Sequence, residues 1–273
     1  MIPKIIHQTY CDYNLAPDIQ RIVHELKARN PNWDYRFYTD IEIERYIQTH
    51  FDASIWQVYS KINPVYGAAK ADLFRYLVLW NEGGIYLDIK SSCIYPLDEV
   101  IKPDDTFIVT QWQNDCDDVN KDAGKSHRLL NELNLVEGEY QQWVLICEKK
   151  SPIMWAVVQS VIKNIQQYRP WHYKFHSYGK RGVLNVTGPI AYTMAVHKLK
   201  NKYPIRFERY DKNLGLVYNA LECSHTKVLP KHYSNYKTYI VNQGFWHNQI
   251  FNLYIMYIRL AKSALKSVGK WQA

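Results

Sequence analysis

The sequence predicts an α/β fold: a mostly parallel sheet flanked by helices, with a helical C-terminal extension. Three observations predict it. Short β-branched and aromatic runs alternate with longer segments of helical period in the first third of the chain. Gly83-Gly84 separates a strongly periodic helix from a compact apolar strand that runs into Asp88. Hydrophobic residues make up 47% of 273 positions, enough to bury a core in one large domain or two small ones. The expected division is a main domain over residues 1–250 and a terminal amphipathic, basic helix over 251–273.

The elements follow in order. Residues 3–8 are Ile-rich and read as a short buried strand. Residues 17–29 read as a helix, with Ile19, Ile22, Val23 and Leu26 on one face and Pro17 in the first turn. Asn30-Pro31-Asn32 ends it. Residues 33–38 alternate and are aromatic, which suits a strand, and Thr39 is placed to cap a helix that reaches Tyr46 or beyond. Residues 66–81 carry Ala69, Leu73, Tyr76, Leu77 and Trp80 at helical spacing, and Gly83-Gly84 stops them. Residues 85–89 then form a strand. Further strands are expected at 106–112 and 142–147, and helices at 152–168, 190–200 and 251–270. The polar stretch 114–134 reads as a long loop or a short helical excursion, and Gly179-Lys180-Arg181-Gly182 as a basic turn.

Composition excludes several classes. No apolar run approaches the roughly 20 residues of a spanning helix. The start of the chain lacks the regions of a signal peptide, and the five Cys are scattered with no C-x-x-C pair. Together these suggest a cytoplasmic setting. Thirty-four Lys+Arg against 26 Asp+Glu give a net charge of +8, which favours anionic partners. A nucleic-acid-binding protein is one such reading. The charges are dispersed, though, and no recognised binding motif accompanies them, so nucleic acid is not expected as a partner.

The most specific pattern is Ala68-Ala69-Lys70-Ala71-Asp72-Leu73-Phe74-Arg75-Tyr76 followed by Gly83-Gly84-Ile85-Tyr86-Leu87-Asp88. With Ile2-Pro3-Lys4-Ile5-Ile6-His7-Gln8-Thr9-Tyr10, it resembles family 32 of the glycosyltransferases, the DXD-containing sugar transferases. That family includes fungal Och1-like mannosyltransferases and capsular and lipopolysaccharide enzymes. The block also resembles the glucosyltransferase domains of large clostridial toxins. Gln142-Trp143 and Thr187-Gly188-Pro189 are weaker echoes, so the resemblance covers about residues 1–200. It implies a GT-A-like fold and transfer of a sugar, with retention, from a nucleotide-diphosphate donor to a saccharide or glycolipid acceptor. It also implies that Tyr10, Asp72, Arg75, Gly84, Asp88 and Trp246 contribute to the nucleotide-sugar site.

The chemistry of the block is coherent with that role. Negative charge grows on the diphosphate as the glycosidic bond breaks, and fixed positive charge or a metal must meet it. An Asp at a strand end can hold a hard divalent ion such as Mn or Mg. Asp72 and Arg75, three apart on one helix, share a face. An exposed helix ion pair is the bland alternative, worth under about 1 kcal/mol.

The sequence departs from the family at Asp88-Ile89-Lys90, where the usual third residue is a second Asp. Lys offers donors only, so a divalent metal cofactor is in doubt. Three readings stay open. The protein needs no metal, with Asp88 and Lys90 as the catalytic pair. It binds metal through Asp88 and a ligand elsewhere, with His247 the nearest candidate. Or it has lost catalysis and acts as a binding scaffold. A literal Asp-x-Asp at Asp115-Cys116-Asp117 follows no Gly-Gly strand and reads as a solvated loop. Tyr10 is either a base-stacking residue or a core tyrosine, and His7 reads as a structural histidine. Phe245 and Trp246 read either as core residues or, for Trp246, as a cover for the nucleotide.

The terminal segment has an apolar body from Phe251 to Leu260, followed by Arg259, Lys262, Lys266 and Lys270 at spacings of three and four. Such a helix can lie on an anionic membrane surface, here the inner face, or pack on the core with solvated lysines.

Overall fold

Strand β1 (Ile5–Thr9) lies between two parallel neighbours, β2 (Asp34–Tyr38) and β3 (Gly84–Leu87). The computed structural model describes residues 1–113, 123–169, 171, 178–209, 211–221 and 236–267. The sheet continues through β6 (Val144–Cys147) and β5 (Phe107–Thr110) to β7 (Arg206–Glu208), giving the order β2-β1-β3-β6-β5-β7. Of these strands β6 alone runs against its neighbours, so the sheet is mixed and mostly parallel. This is the α/β arrangement the sequence predicts, a mostly parallel sheet flanked by helices. A separate two-stranded ladder joins β4 (Ser92–Cys93) to β8 (Leu216–Val217).

Local sequence explains the first helices. Helix α1 (Pro17–Arg29) starts on Pro17 and buries Ile19, Ile22 and Leu26. Helix α2 (Asp40–His50) begins in a capping box: the Thr39 hydroxyl accepts from the Glu42 amide, and the Glu42 carboxylate accepts from the Thr39 amide. Helix α3 (Ala53–Ser60), not apparent from the pattern, is capped by Asp52, which accepts from the Ser54 and Ile55 amides.

Helix α4 (Gly67–Glu82) is buried along most of its length, Asp72 and Arg75 included. Its chain then turns sharply. Gly83 has φ +73 and Gly84 φ +99, and a Cβ on Gly84 would stand 2.4 Å from the Ile5 carbonyl oxygen. Only glycine combines this conformation with so close an approach of two strands. Gly84 therefore shapes the start of β3, where it pairs with Cys147, while Asp88 follows the other end of the strand.

A short helix α5 (Leu97–Val100) precedes β5, and α6 (His127–Leu133) lies in the polar stretch. Asp115, Cys116, Asp117 and Asp118 fall outside the described residues. Helix α7 (Pro152–Gln166) packs against α4 and against α9 (Pro189–His197). The segment expected as a basic turn is instead the first turn of α8 (Gly179–Val186), which buries Gly179, Gly182 and Val183. The terminal helix α10 (Phe245–Ser267) starts six residues before the expected position, so the expected boundary falls inside it. Phe251, Ile255 and Ile258 anchor it in the same core as Leu73, Tyr76 and Val157. No helix among the described residues is long and apolar enough to cross a membrane.

Candidate active site

Arg75 organises the site. It is 7% exposed, and its Nη1 donates to Asp88 Oδ1 at 3.1 Å and to the Gln142 carbonyl at 3.0 Å. Its Nη2 stands 3.4 Å from Asp72 Oδ1, and its guanidinium carbon lies 4.5 Å from the centre of the Tyr86 ring. The helix spacing of Asp72 and Arg75 thus yields a buried ion pair rather than an exposed one. Removing one partner of such a group typically costs about 3–5 kcal/mol, because a charge is left uncompensated. Burial opposes the Arg75 charge, but Tyr86, Asp88 and Asp72 more than reverse that and raise its pKa.

Asp72 is held from three directions. The Thr187 hydroxyl donates to Oδ2 at 2.8 Å, and the Gln142 amide donates to Oδ1 at 3.1 Å. Arg75 supplies the charge. Burial pushes the Asp72 pKa up, while Arg75, Thr187 and Gln142 pull it back. The Tyr76 hydroxyl ties the supports together by donating to the Thr187 carbonyl at 2.9 Å while accepting from Gln142. Gln142 and Thr187 were visible only as weak sequence echoes, with no role attached. Their signal was the motif each opens, Gln142-Trp143 and Thr187-Gly188-Pro189; the fold supplies the reason.

Asp88 follows β3 at the open end of the sheet. Its amide donates to the Trp143 carbonyl at 2.9 Å, and its own carbonyl accepts from the Ser91 amide at 2.8 Å and the Gln8 amide at 3.2 Å. Residues 88–91 therefore form a hydrogen-bonded turn. The Asp88 side chain is 27% exposed, with one oxygen on Arg75. Lys90, in the same turn, is 6% exposed. Its ammonium nitrogen lies 3.9 Å from the centre of the Tyr218 ring, a contact worth about 2 kcal/mol when desolvated. Nothing in the sequence pairs residue 90 with residue 218.

Tyr10, just past β1, packs beside Ile89 in a small cluster with Ile19, Ile22 and Leu221 and stays partly exposed. The structure thus gathers Tyr10, Asp72, Arg75, Asp88 and Lys90 at one end of the sheet. It does not bring Trp246 or His247 there. Both are exposed on the first turn of α10, Trp246 at 76% and edge-on to the equally solvated Phe245. Neither residue is in the core. His7 is fully buried between the Tyr38 hydroxyl and the Gly83 carbonyl, a structural histidine. Burial lowers its pKa to about 4.

The residues present do not fit the divalent ion that the family resemblance implies. One of the two Asp88 oxygens is taken by a guanidinium, and the third position of the motif is a cation. His247 makes no described contact with Asp88, and no group of three His, Cys, Asp or Glu among the described residues is placed to hold a metal. Among the described residues, His247 is therefore not set beside Asp88.

Residues 17–108 match the family profile described as "Glycosyltransferase sugar-binding region containing DXD motif". That stretch, from α1 to β5, is similar to this glycosyltransferase family. Among its relatives is the mannosyl phosphorylinositol ceramide synthase SUR1 of Saccharomyces cerevisiae, 24% identical over 65% of this chain and 49% of that protein. The initiation-specific alpha-1,6-mannosyltransferase of Schizosaccharomyces pombe is 26% identical over 71% of this chain and 48% of its own. The chain spans about half the length of these curated relatives. Among solved structures, the UDP-bound glycosyltransferase domain of the YGT toxin covers 89% of this chain and 84% of its own, with 11% identity and a TM-score of 0.48.

Proposed function

We propose that the protein transfers a hexosyl group from a nucleotide-diphosphate sugar to a hydroxyl of a saccharide or glycolipid. The single observation that carries the reading is Asp88, partly exposed at the sheet end and fixed by a buried Arg75. Relatives named as mannosyltransferases favour mannose as the sugar. In the reaction the bond from the anomeric carbon to the diphosphate oxygen breaks, and its electron pair leaves on that oxygen. The bond from the anomeric carbon to the acceptor oxygen forms, and the acceptor proton passes to the departing phosphate; this is the route by which configuration is retained.

Each side chain has a part in this. Asp88 and Arg75 orient the donor sugar through their fixed hydrogen-bonding atoms. Asp72 holds Arg75 and takes no proton. Tyr10 supplies an aromatic face for the base, an interaction of about 1–3 kcal/mol. The test is hydrolysis of a panel of nucleotide sugars by the wild type and by Asp88→Asn. One sugar nucleotide should be turned over, and the variant should lose at least about 100-fold. No turnover of any donor, or near-wild-type turnover by Asp88→Asn, would defeat the reading.

A specific observation favours a lipid-linked acceptor. Trp246 (76%), Ile250 (46%), Leu253 (62%), Tyr257 (65%) and Leu260 (64%) are exposed on α10 at spacings of four, three, four and three. They form one apolar stripe on the face away from Phe251, Ile255 and Ile258, and Arg259 is exposed beside it. Such a face inserts into a lipid headgroup region, aided by positive charge. Lys266 and Lys270 lie outside the described side chains. The expected result is binding to vesicles containing phosphatidylserine that Leu253→Ser/Tyr257→Ser abolishes without altering donor turnover. Equal vesicle binding by both proteins would rule this acceptor placement out.

A further inference from the structure

We infer that the donor site works without a divalent ion, and that the Lys90 ammonium, held on the face of Tyr218, is the positive charge that meets the departing diphosphate. The inference rests on the donor reading above and adds what neutralises the leaving group.

The segment carrying Lys90 is fixed along its length. The Lys90 carbonyl accepts from the Ala220 amide at 2.9 Å, and the Ser91 hydroxyl donates to the Tyr218 carbonyl at 2.7 Å. Ser92 and Cys93 then pair with Val217 and Leu216 in the β4–β8 ladder. Lys90 and Tyr218 are therefore set against each other by backbone. Trp112 and Trp143 stand against Tyr218 at ring distances of 5.1 and 5.5 Å, so the aromatic face is itself braced.

Among the described residues no carboxylate pairs with Lys90, although it is 6% exposed. A buried ammonium without a counter-ion is costly, and a quadrupole compensates it only in part. The nearest sequence carboxylate, Asp88, already has an oxygen on Arg75. Among the described residues, the turn thus presents an uncompensated cation two residues from the donor-site aspartate. A divalent ion there would meet two protein cations and gain few oxygen ligands. A diphosphate brings an anion that no described residue supplies to Lys90. Lys90 acts electrostatically, forming and breaking no bond. Tyr218 is a positioning residue that acts through Lys90 by its ring, not its hydroxyl.

The experiment is calorimetric titration of GDP and of UDP into the full chain, in EDTA and again in excess Mn²⁺. One of the two should bind wild type with a Kd unchanged within about twofold between the two conditions. Lys90→Met should weaken that binding at least about tenfold. Tyr218→Leu should weaken it as well, and Tyr218→Phe should restore it. Lys90→Asp, which rebuilds Asp-x-Asp, should bind only when Mn²⁺ is present. Thermal midpoints report whether each variant is folded; if Lys90→Met is not, the wild-type comparison decides alone. Binding by wild type that disappears in EDTA and returns with Mn²⁺ overturns this inference and leaves the donor reading standing. Wild-type affinity in folded Lys90→Met also overturns it. No binding of either nucleotide under any condition overturns the donor reading and this inference with it.

Discussion

Thr187→Val removes one oxygen from the site and changes little else. The Thr187 hydroxyl is fully buried and donates to Asp72 Oδ2 at 2.8 Å. Valine keeps the shape and the β-branch, and the Thr187 carbonyl still accepts from Tyr76. Asp72 is 5% exposed, so no water replaces the lost donor. A hydrogen bond to a charged group contributes about 1.5–3 kcal/mol, and that is the expected loss of unfolding free energy. Donor affinity should also fall, because Asp72 holds Arg75 and Arg75 holds Asp88. Urea denaturation at neutral pH measures the first effect, with Thr187→Ser, which keeps the hydroxyl, as the control. The midpoint should move while the slope against urea stays constant. A loss below about 0.5 kcal/mol, equal to that of Thr187→Ser, would refute the argument that the hydroxyl supports an ionised Asp72.

Further predictions concern strain and pH. Gly84→Ala should cost at least about 3 kcal/mol and lower the thermal midpoint, because the added Cβ meets the Ile5 carbonyl in a left-handed conformation. Arg75→Lys keeps the charge but cannot span Asp72, Asp88 and the Gln142 carbonyl; donor turnover should fall at least about tenfold, as measured by nucleotide-sugar hydrolysis. Two buried groups give opposing acid dependences. His7, lowered from 6.5 to about 4 by burial, makes stability fall as pH drops through that window, because the unfolded chain takes the proton first. Glu139, raised from 4.5 to about 7 by burial, makes stability fall as pH rises through its window, because its ionised form is disfavoured in the fold. The two largely cancel in wild type between pH 4.5 and 6.5. Glu139→Gln should expose the His7 effect as a steeper loss on acidification, seen in thermal midpoints at pH 7.5, 6 and 5; parallel profiles would contradict it.

The elements with a local cause were legible. Helix α1 has the expected bounds because Pro17 opens it and one apolar face runs through it. The Thr39 cap and the Gly83-Gly84 stop are likewise written in short-range chemistry. The basic residues at 179–182 misled because Gly179 and Gly182 suggest a turn; in the fold they lie buried where α8 begins, and packing overrides their weak helix propensity. β4 and β8 escaped notice because two-residue strands carry no period, and their pairing joins residues far apart in sequence. The same holds for the site. The helix face of Asp72 and Arg75 follows from spacing, whereas the convergence of Gln142, Thr187 and Tyr218 is a product of topology. Trp246 and His247 entered the expected site through a loose resemblance to relatives, and α10 holds both in solvent.

The proposed donor site lies at the open end of β3. A rival location exists at the opposite end of the sheet, a shallow cleft of about 590 Å³ lined by Ile5, Arg36, His50, Asn81, Glu82 and Lys149. Its cations suit an anion too, though Arg36 is already paired with Asp34 and Glu82. Amide hydrogen exchange with and without a saturating nucleoside diphosphate separates the two. A donor site beside Asp88 slows exchange in peptides covering Tyr10 and residues 86–92 and leaves residues 34–38 and 148–150 unchanged. Protection confined to residues 34–38, 81–82 and 148–150 would contradict it.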